Sequence, residues 1–323
     1  MIGSTLTAAN DPKRTSEPQR GDAGFRQFQY CVEMGRPLFT DAGLTTMPKY
    51  AAATDFQNLH EQPEAFVIPN PWDRGSARML AKLGFKALAT TSAGFDFADG
   101  RIEGTATLED VLSHCRMMVD ATELPVNADA ESCYAETPEG VAETIRRLAE
   151  TGIAGCSIED LNVFRSGTYG DAPIYELSVA VERVAAAAEA VRSLDRPFML
   201  TGRAENFLHN RPDLGDTIKR LQAYQEAGAD VLYAPGPRTA DDIRSIVTSV
   251  DRPINVLAGL PGMNLSVTEL GKLGVKRISL GSNLFRTAFG AALRGAQEIL
   301  NDGTFGYAGD AATFKEISAL FDD

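Results

Sequence analysis

A (β/α)₈ barrel of the triosephosphate-isomerase type is the fold this sequence predicts, and three observations carry the prediction. From about residue 55 onward, eight short apolar runs of strand length alternate with segments whose apolar residues lie three and four apart. Ahead of those runs, chain-reversing glycines and strand-opening prolines take turns in strict alternation. Carboxylates gather at the carboxyl ends of the runs, where barrel enzymes assemble their active sites.

The order along the chain follows from these rules. Residues 1–50 are rich in Ser, Thr, Asp, Arg, Pro and Gly without a sustained apolar period, and read as a disordered or loosely attached extension. Met47 opens the stretch that leads into the first regular segment and is an alternative start. Residues 51–323 read as one barrel domain with C-terminal helices. Its predicted strands are Ala65–Pro69, Ala87–Thr91, Leu124–Asp129, Ala154–Glu159, Pro197–Arg203, Ala229–Pro235, Pro253–Ala258 and Lys276–Gly281. Gly84, Gly152, Gly228 and Gly274 precede the even strands and suit the left-handed end of a helix. Pro63, Pro125, Pro197 and Pro253 precede or open the odd ones. Helix starts are marked by Thr107…Asp110, Thr239…Asp242 and Ser266…Glu269 at capping-box spacing, and by Thr137-Pro138. An open doubly wound sheet is the competing architecture; eight regular units and no GxGxxG after the first strand weigh against it.

Composition narrows the function. The 323 residues carry a formal net charge of −13, which argues against a nucleic-acid or anionic-membrane surface. An anionic substrate would therefore need a local cationic pocket. The four cysteines, Cys31, Cys115, Cys133 and Cys156, are scattered without a CxxC pair, so neither a disulfide framework nor a zinc site is expected. No apolar run approaches membrane-spanning length, and a cytoplasmic location is the expectation.

At the predicted strand ends, Asp129 and Glu131 stand two apart and Glu159 and Asp160 follow on the neighbouring strand. So many carboxylates in one mouth are unfavourable without a cation, and an all-oxygen set favours a hard divalent ion: magnesium, with manganese as the alternative. The competing reading is that these acids cap helices or pair with basic residues. Arg203 reads as the one basic residue at these strand ends and as a bidentate clamp for a substrate carboxylate, or as a partner of the acids. Ser92-Ala93-Gly94 offers a hydroxyl and closely spaced N–H groups as an oxyanion or carboxylate cradle, and equally fits a tight turn. Asn255, the polar residue carried by strand seven, is a further candidate for binding substrate.

The segments Asn70-Pro71-Trp72-Asp73-Arg74-Gly75-Ser76-Ala77, Thr91-Ser92-Ala93-Gly94, Asn127-Ala128-Asp129-Ala130-Glu131, Ser157-Ile158-Glu159-Asp160 and Arg203-Ala204-Glu205-Asn206-Phe207 resemble the isocitrate lyase/phosphoenolpyruvate mutase superfamily in order and spacing. The resemblance runs from about residue 55 to 310. It implies a barrel, a magnesium ion, and substrates that are small 2-oxo or 2-hydroxy carboxylic acids or their phosphonate analogues. It implies Asp129 as principal metal ligand, Glu131 and Glu159 in support, and Glu103 where the superfamily usually has a further metal-site aspartate. By the same carry-over Arg203 clamps the substrate, and Ser92, Ala93 and Gly94 hold its carboxylate and oxo group. It also implies a homodimer or homotetramer with C-terminal helices exchanged between subunits.

Two departures shape the functional reading. The Lys-Lys/Arg-Cys-Gly-His loop of the isocitrate and methylisocitrate lyases has no counterpart: Leu161-Asn162-Val163-Phe164-Arg165-Ser166-Gly167-Thr168-Tyr169-Gly170 lacks Cys, Lys and His. The gating-loop pattern of the phosphonate enzymes is also missing. Cys133 reads as an inert loop residue rather than a substitute acid, Cys156 as packing, and His209 and Tyr169 as outside candidates for proton transfer. The expected activity is a magnesium-dependent lyase or decarboxylase that cleaves a carbon–carbon bond through an enolate. The alternatives are a phosphonopyruvate-type mutase or hydrolase acting on a carbon–phosphorus bond, and a non-catalytic barrel that binds 2-oxo acids.

Overall fold

The structure, a computed structural model, describes residues 50–166 and 172–322. Its centre is an eight-stranded parallel sheet: β1 (Phe66–Ile68), β2 (Leu88–Ala89), β3 (Val126–Asp129), β4 (Gly155–Glu159), β5 (Met199–Arg203), β6 (Val231–Tyr233), β7 (Ile254–Leu257) and β8 (Arg277–Ser279). The strands run in the order β1-β8-β7-β6-β5-β4-β3-β2, and each predicted strand contains its observed one. Between β1 and β2 the ladder is reduced to one backbone bond, from Ala89 N–H to the Pro69 carbonyl at 3.0 Å. Asn70 reinforces that seam. Its amide donates to the Thr90 carbonyl at 2.8 Å, and its oxygen accepts the N–H groups of Leu280 and Gly281 at 2.9 Å each. The sheet is a nearly closed barrel.

The helices follow from local chemistry. α1 (Ala51–Glu61) precedes the barrel; α2 (Arg74–Lys82), α3 (Ser92–Ala98), α4 (Leu108–Val119), α5 (Pro138–Glu150), α6 (Val163–Ser166), α7 (Leu177–Arg192), α8 (Leu214–Glu226), α9 (Ala240–Thr248) and α10 (Val267–Lys272) lie between strands. α11 (Asn283–Asp302) and α12 (Phe314–Ala319) follow β8. Reciprocal capping boxes form at Thr107/Asp110 and Ser266/Glu269, while Thr239 caps Asp242 N–H in one direction only. A further box, Asp73/Ser76, starts α2. Gly84, Gly152, Gly228 and Gly274 take φ of +92°, +92°, +107° and +91°, ending α2, α5, α8 and α10 in the conformation that glycine alone enters without strain.

Two main apolar cores result, with a small third cluster of Leu161, Ala172 and Ile174. The larger lies between strands and outer helices, around residues such as Leu112, Ile145, Leu148, Leu200 and Tyr224. The smaller joins Phe56 and Ala53 of α1 to Phe66, Ala154, Met199 and Val231 at the beginnings of strands. Edge-to-face contacts among Phe56, His60 and Phe66 tie α1 across the amino end of the barrel. That end is stoppered, so the carboxyl end is where a ligand enters. No described helix is long and apolar enough to cross a membrane.

Candidate active site

The carboxyl ends of the strands open on a cavity of about 170 Å³. Side chains alternate across a strand, and many inward positions here are polar, namely Asn127 and Asp129 on β3, Ser157 on β4, Arg203 on β5, Asn255 on β7, Arg277 and Ser279 on β8, beside the apolar Ile68, Ala89 and Leu257. Branched aliphatic residues usually fill these positions in a barrel. A polar lumen marks this one for binding.

Asp129 is held from several sides. Its Oδ2 accepts the Ser92 N–H at 3.3 Å and the Ser92 hydroxyl at 3.0 Å; its Oδ1 accepts from the Ser157 hydroxyl at 3.4 Å. Its own N–H donates to Thr90 Oγ1 at 2.8 Å. Arg203 lies over the Tyr233 ring, 5.1 Å from its centroid, and reaches three acids. Nη1 is 3.4 Å from Asp129 Oδ1 and 3.1 Å from Glu159 Oε2, and Nε donates to Glu205 Oε1. Burial pushes the Glu159 and Glu205 carboxyls upward, and Arg203 pulls them back. Glu103 is raised by burial and then by the charge of Asp129. Burial, then Asp129, lifts Glu131 to about 8, against a hydrogen bond from the Tyr134 hydroxyl at 2.9 Å.

The sequence-predicted residues therefore separate. Ser92, Ala93, Glu103, Asp129, Arg203 and Asn255 line the cavity; Gly94, Glu131 and Glu159 stand behind it. The expected cradle of N–H groups at Ser92–Gly94 needs correction. The Ser92 N–H points to Asp129, and the Gly94 N–H bonds the Thr91 side chain at 3.2 Å as the cap of α3. Glycine at 94 is required sterically, since a Cβ there would come within 2.5 Å of Thr91 Cγ2. Asp160 is a second correction. It is one residue beyond Glu159 and faces outward, accepting from Arg220 Nη1 at 2.9 Å, Tyr224 Oη at 2.6 Å and the Glu205 N–H at 2.9 Å. It joins the strand ends to α8 and takes no part in the mouth.

The turn after β3 is strained. Glu131, Cys133 and Tyr134 adopt φ of +47°, +60° and +51°, a region unfavourable to non-glycine residues. Buried Arg183 of α7 holds the turn by donating to the carbonyls of Ser132, Ala135 and Glu136 at 2.6, 2.8 and 2.7 Å. Cys133 within it is fully buried, and burial pushes its thiol up to about 12, which leaves no thiolate for chemistry. Cys156 is likewise buried and raised. His209 Nε2 lies 3.6 Å from Glu205 Oε2, its pKa lowered by burial and by Arg203. Tyr169 lies outside the described residues.

Among the described residues, no three or more His, Cys, Asp or Glu side chains are assembled into a metal cage. Asp129 and Glu103 are the carboxylates on the cavity wall, beside the hydroxyls of Ser92 and Ser157. One or two carboxylates with room for water suit magnesium better than an ion that demands a full protein shell. Arg277 and Tyr233 were not anticipated as part of this cavity. The available signal was a charge inside the apolar run Val275–Leu280, at the same parity as Ser279.

A family model described as phosphoenolpyruvate phosphomutase matches residues 56–300. The chain belongs to that family. Among solved structures, this phosphoenolpyruvate phosphomutase family member resembles a putative lyase/mutase from Burkholderia cenocepacia J2315. The two are 48% identical with a TM-score of 0.81, over 85% of this chain and 97% of that one. It is 28% identical to a probable 2-methylisocitrate lyase of Corynebacterium glutamicum, over 75% of this chain and 78% of the relative. It is 26% identical to an oxaloacetate decarboxylase of Paraburkholderia xenovorans, over 77% of this chain and 82% of the relative.

Proposed function

We propose that this family member is a magnesium-dependent lyase or decarboxylase that cleaves a carbon–carbon bond of a small 2-oxo or 2-hydroxy acid. The observation that carries the reading is Asp129, fixed on the wall of a polar barrel lumen by Ser92, with Arg203 beside it. Relatives named as 2-methylisocitrate lyase and oxaloacetate decarboxylase support the same reaction class. Asp129 and Glu103 would hold the ion, with Glu131 and Glu159 as supporting carboxylates. The ion, when bound, supplies Lewis-acid withdrawal of electron density from the substrate's oxo group. The chain supplies the rest. Ser92 keeps Asp129 in one orientation, so no reorganisation is needed at the moment of reaction. Arg203 neutralises charge as the electron pair of the broken bond passes into the enolate.

The test is a pyruvate- and glyoxylate-release assay over malates, citrates, oxaloacetate and phosphonopyruvate, with magnesium and with excess chelator. Expected is metal-dependent release from a carbon–carbon substrate, reduced at least about 100-fold in Asp129→Ala. Phosphate release from phosphonopyruvate would move the protein to carbon–phosphorus chemistry. Binding of oxalate without any turnover would make it a binding barrel.

We also infer that the working form is a homo-oligomer. α11 is 20 residues long, yet among the described residues it buries only Phe285 and Gly295. Phe289, Leu293, Leu300, Phe305 and Phe314 are left exposed along the C-terminal segment, more apolar surface than a solitary subunit tolerates. A second copy offering the same face is the occupant that closes it symmetrically. Light scattering after gel filtration is expected to give a dimer or tetramer, and a monomeric mass would refute this. Cys115, Cys133 and Cys156 are free and buried, in keeping with a cytoplasmic setting.

A further inference from the structure

Two arginines face the same cavity under opposite electrostatic conditions. Arg203 is surrounded by three acids, Asp129, Glu159 and Glu205. Arg277 opens β8, is 3% exposed, and reaches across the lumen to neutral partners alone. Its Nε donates to Asn255 Oδ1 at 2.9 Å on β7, and its Nη2 donates to Thr201 Oγ1 at 3.0 Å on β5. Its Nη1 is buried and meets no hydrogen-bond acceptor among the described residues. No described carboxylate pairs with it. Burial draws the guanidinium down to about 10, which still leaves it charged at neutral pH.

An unpaired buried cation is among the most unfavourable groups a protein interior can hold, and a hydrophobic residue of similar volume is normally the more stable choice. Its place in the fold gives the compensating role. Thr201, which Arg277 touches, lies two residues before Arg203 on the same face of β5, so the guanidinium lies one layer deeper than Arg203. Asn255 is pinned by the same contact. A guanidinium only donates, so Asn255 turns its oxygen towards Arg277 and its amide N–H towards Ser279 Oγ, at 2.9 Å. On the wall formed by β3, Asn127 Oδ1 is also without a partner among the described residues. The floor of the cavity is thus a polar layer of fixed orientation that carries the Arg277 charge, beneath a mouth where Arg203 stands among acids.

We propose that Arg277 is a specificity-determining residue, forming with Asn255 a second anion subsite at the floor of the lumen that takes a carboxylate oxygen at the end of the substrate remote from Asp129. This rests on the lyase reading for the identity of the substrate's other end. A charge-assisted bond in a dry site separates acids that carry the second carboxylate from those that lack it by about 10- to 100-fold.

The test is calorimetric binding to the full-length protein in magnesium buffer, with two probes: pyruvate, which has one carboxylate, and the difluoro analogue of oxaloacetate, which has two. The wild type is expected to prefer the dicarboxylate at least about 10-fold. Arg277→Met is expected to lose that preference while holding pyruvate within about 2-fold, and Arg277→Lys to recover part of it. The ligand-free Tm of Arg277→Met is expected to equal or exceed that of the wild type, because an unpaired charge has been removed. A lowered Tm with parallel loss of both probes would make Arg277 structural, and unchanged dicarboxylate affinity would equally overturn the subsite. Binding with the expected dependence on Arg277 but without turnover would sink the lyase reading and leave the subsite standing. Failure of the wild type to bind either probe would sink both.

Discussion

Arg203 shows how much one side chain is asked to do. It is the counter-charge for Asp129, Glu159 and Glu205 and also the group nearest to where substrate charge would develop. These roles separate by substitution. Arg203→Met leaves buried carboxylates without their cation and is expected to cost about 3 kcal/mol in urea unfolding at neutral pH. Adding Glu159→Gln removes one of the stranded charges and should restore part of that stability without restoring turnover. Arg203→Lys keeps a point charge but loses the planar fork, so turnover should fall by about two orders of magnitude with a smaller stability loss. Equal stability of Arg203→Met and wild type would show that the acids are neutral in the resting protein.

At the level of elements, the strands were legible because each carries its own punctuation: an apolar run, a glycine with positive φ or a proline before it, and, after all but β4 and β8, a helix capped by a side chain. Face parity explains most of what was misread. Glu159 and Asp160 are adjacent, so a strand must send them to opposite sides, and Asp160 goes to Arg220 and Tyr224. Asp129 and Glu131 are two apart, but the strand ends at Asp129 and Glu131 lies at φ +47°, where the two-residue period no longer applies. Neither that turn nor its clamp has a local signature, because Arg183 comes from a helix about fifty residues later. Arg183 therefore stabilises a turn that would otherwise relax, and Arg183→Met should show it. Loss of three bonds to buried carbonyls is expected to cost about 3 kcal/mol in urea unfolding. The metal concentration for half-maximal turnover should rise as well, since Glu131 sits on the released turn. A stability loss with unchanged metal dependence would confine Arg183 to a scaffold role.

For the molecule as a whole, the buried histidines make stability depend on pH in a way that can be isolated. Burial pulls His114 down to about 4, and burial followed by Arg277 pulls His60 down to about 3. Both are neutral in the folded protein, whereas an unfolded histidine takes a proton near pH 6.5. Between those values the unfolded chain binds more protons, so stability is fully present above about pH 6.5 and falls as the pH drops towards 4. The raised carboxyls of Glu159, Glu205 and Asp160 act in the opposite sense, because they favour protons in the folded state and lose stability as the pH rises. A wild-type profile alone mixes these slopes. The informative quantity is the difference in unfolding free energy between wild type and His114→Leu, a site influenced by the charge of Asp73 rather than by the mouth acids. That difference should shift by roughly 2 kcal/mol in favour of the variant between pH 7 and pH 5. A constant difference would mean that His114 reaches a partner or solvent in the folded protein and titrates near its ordinary value.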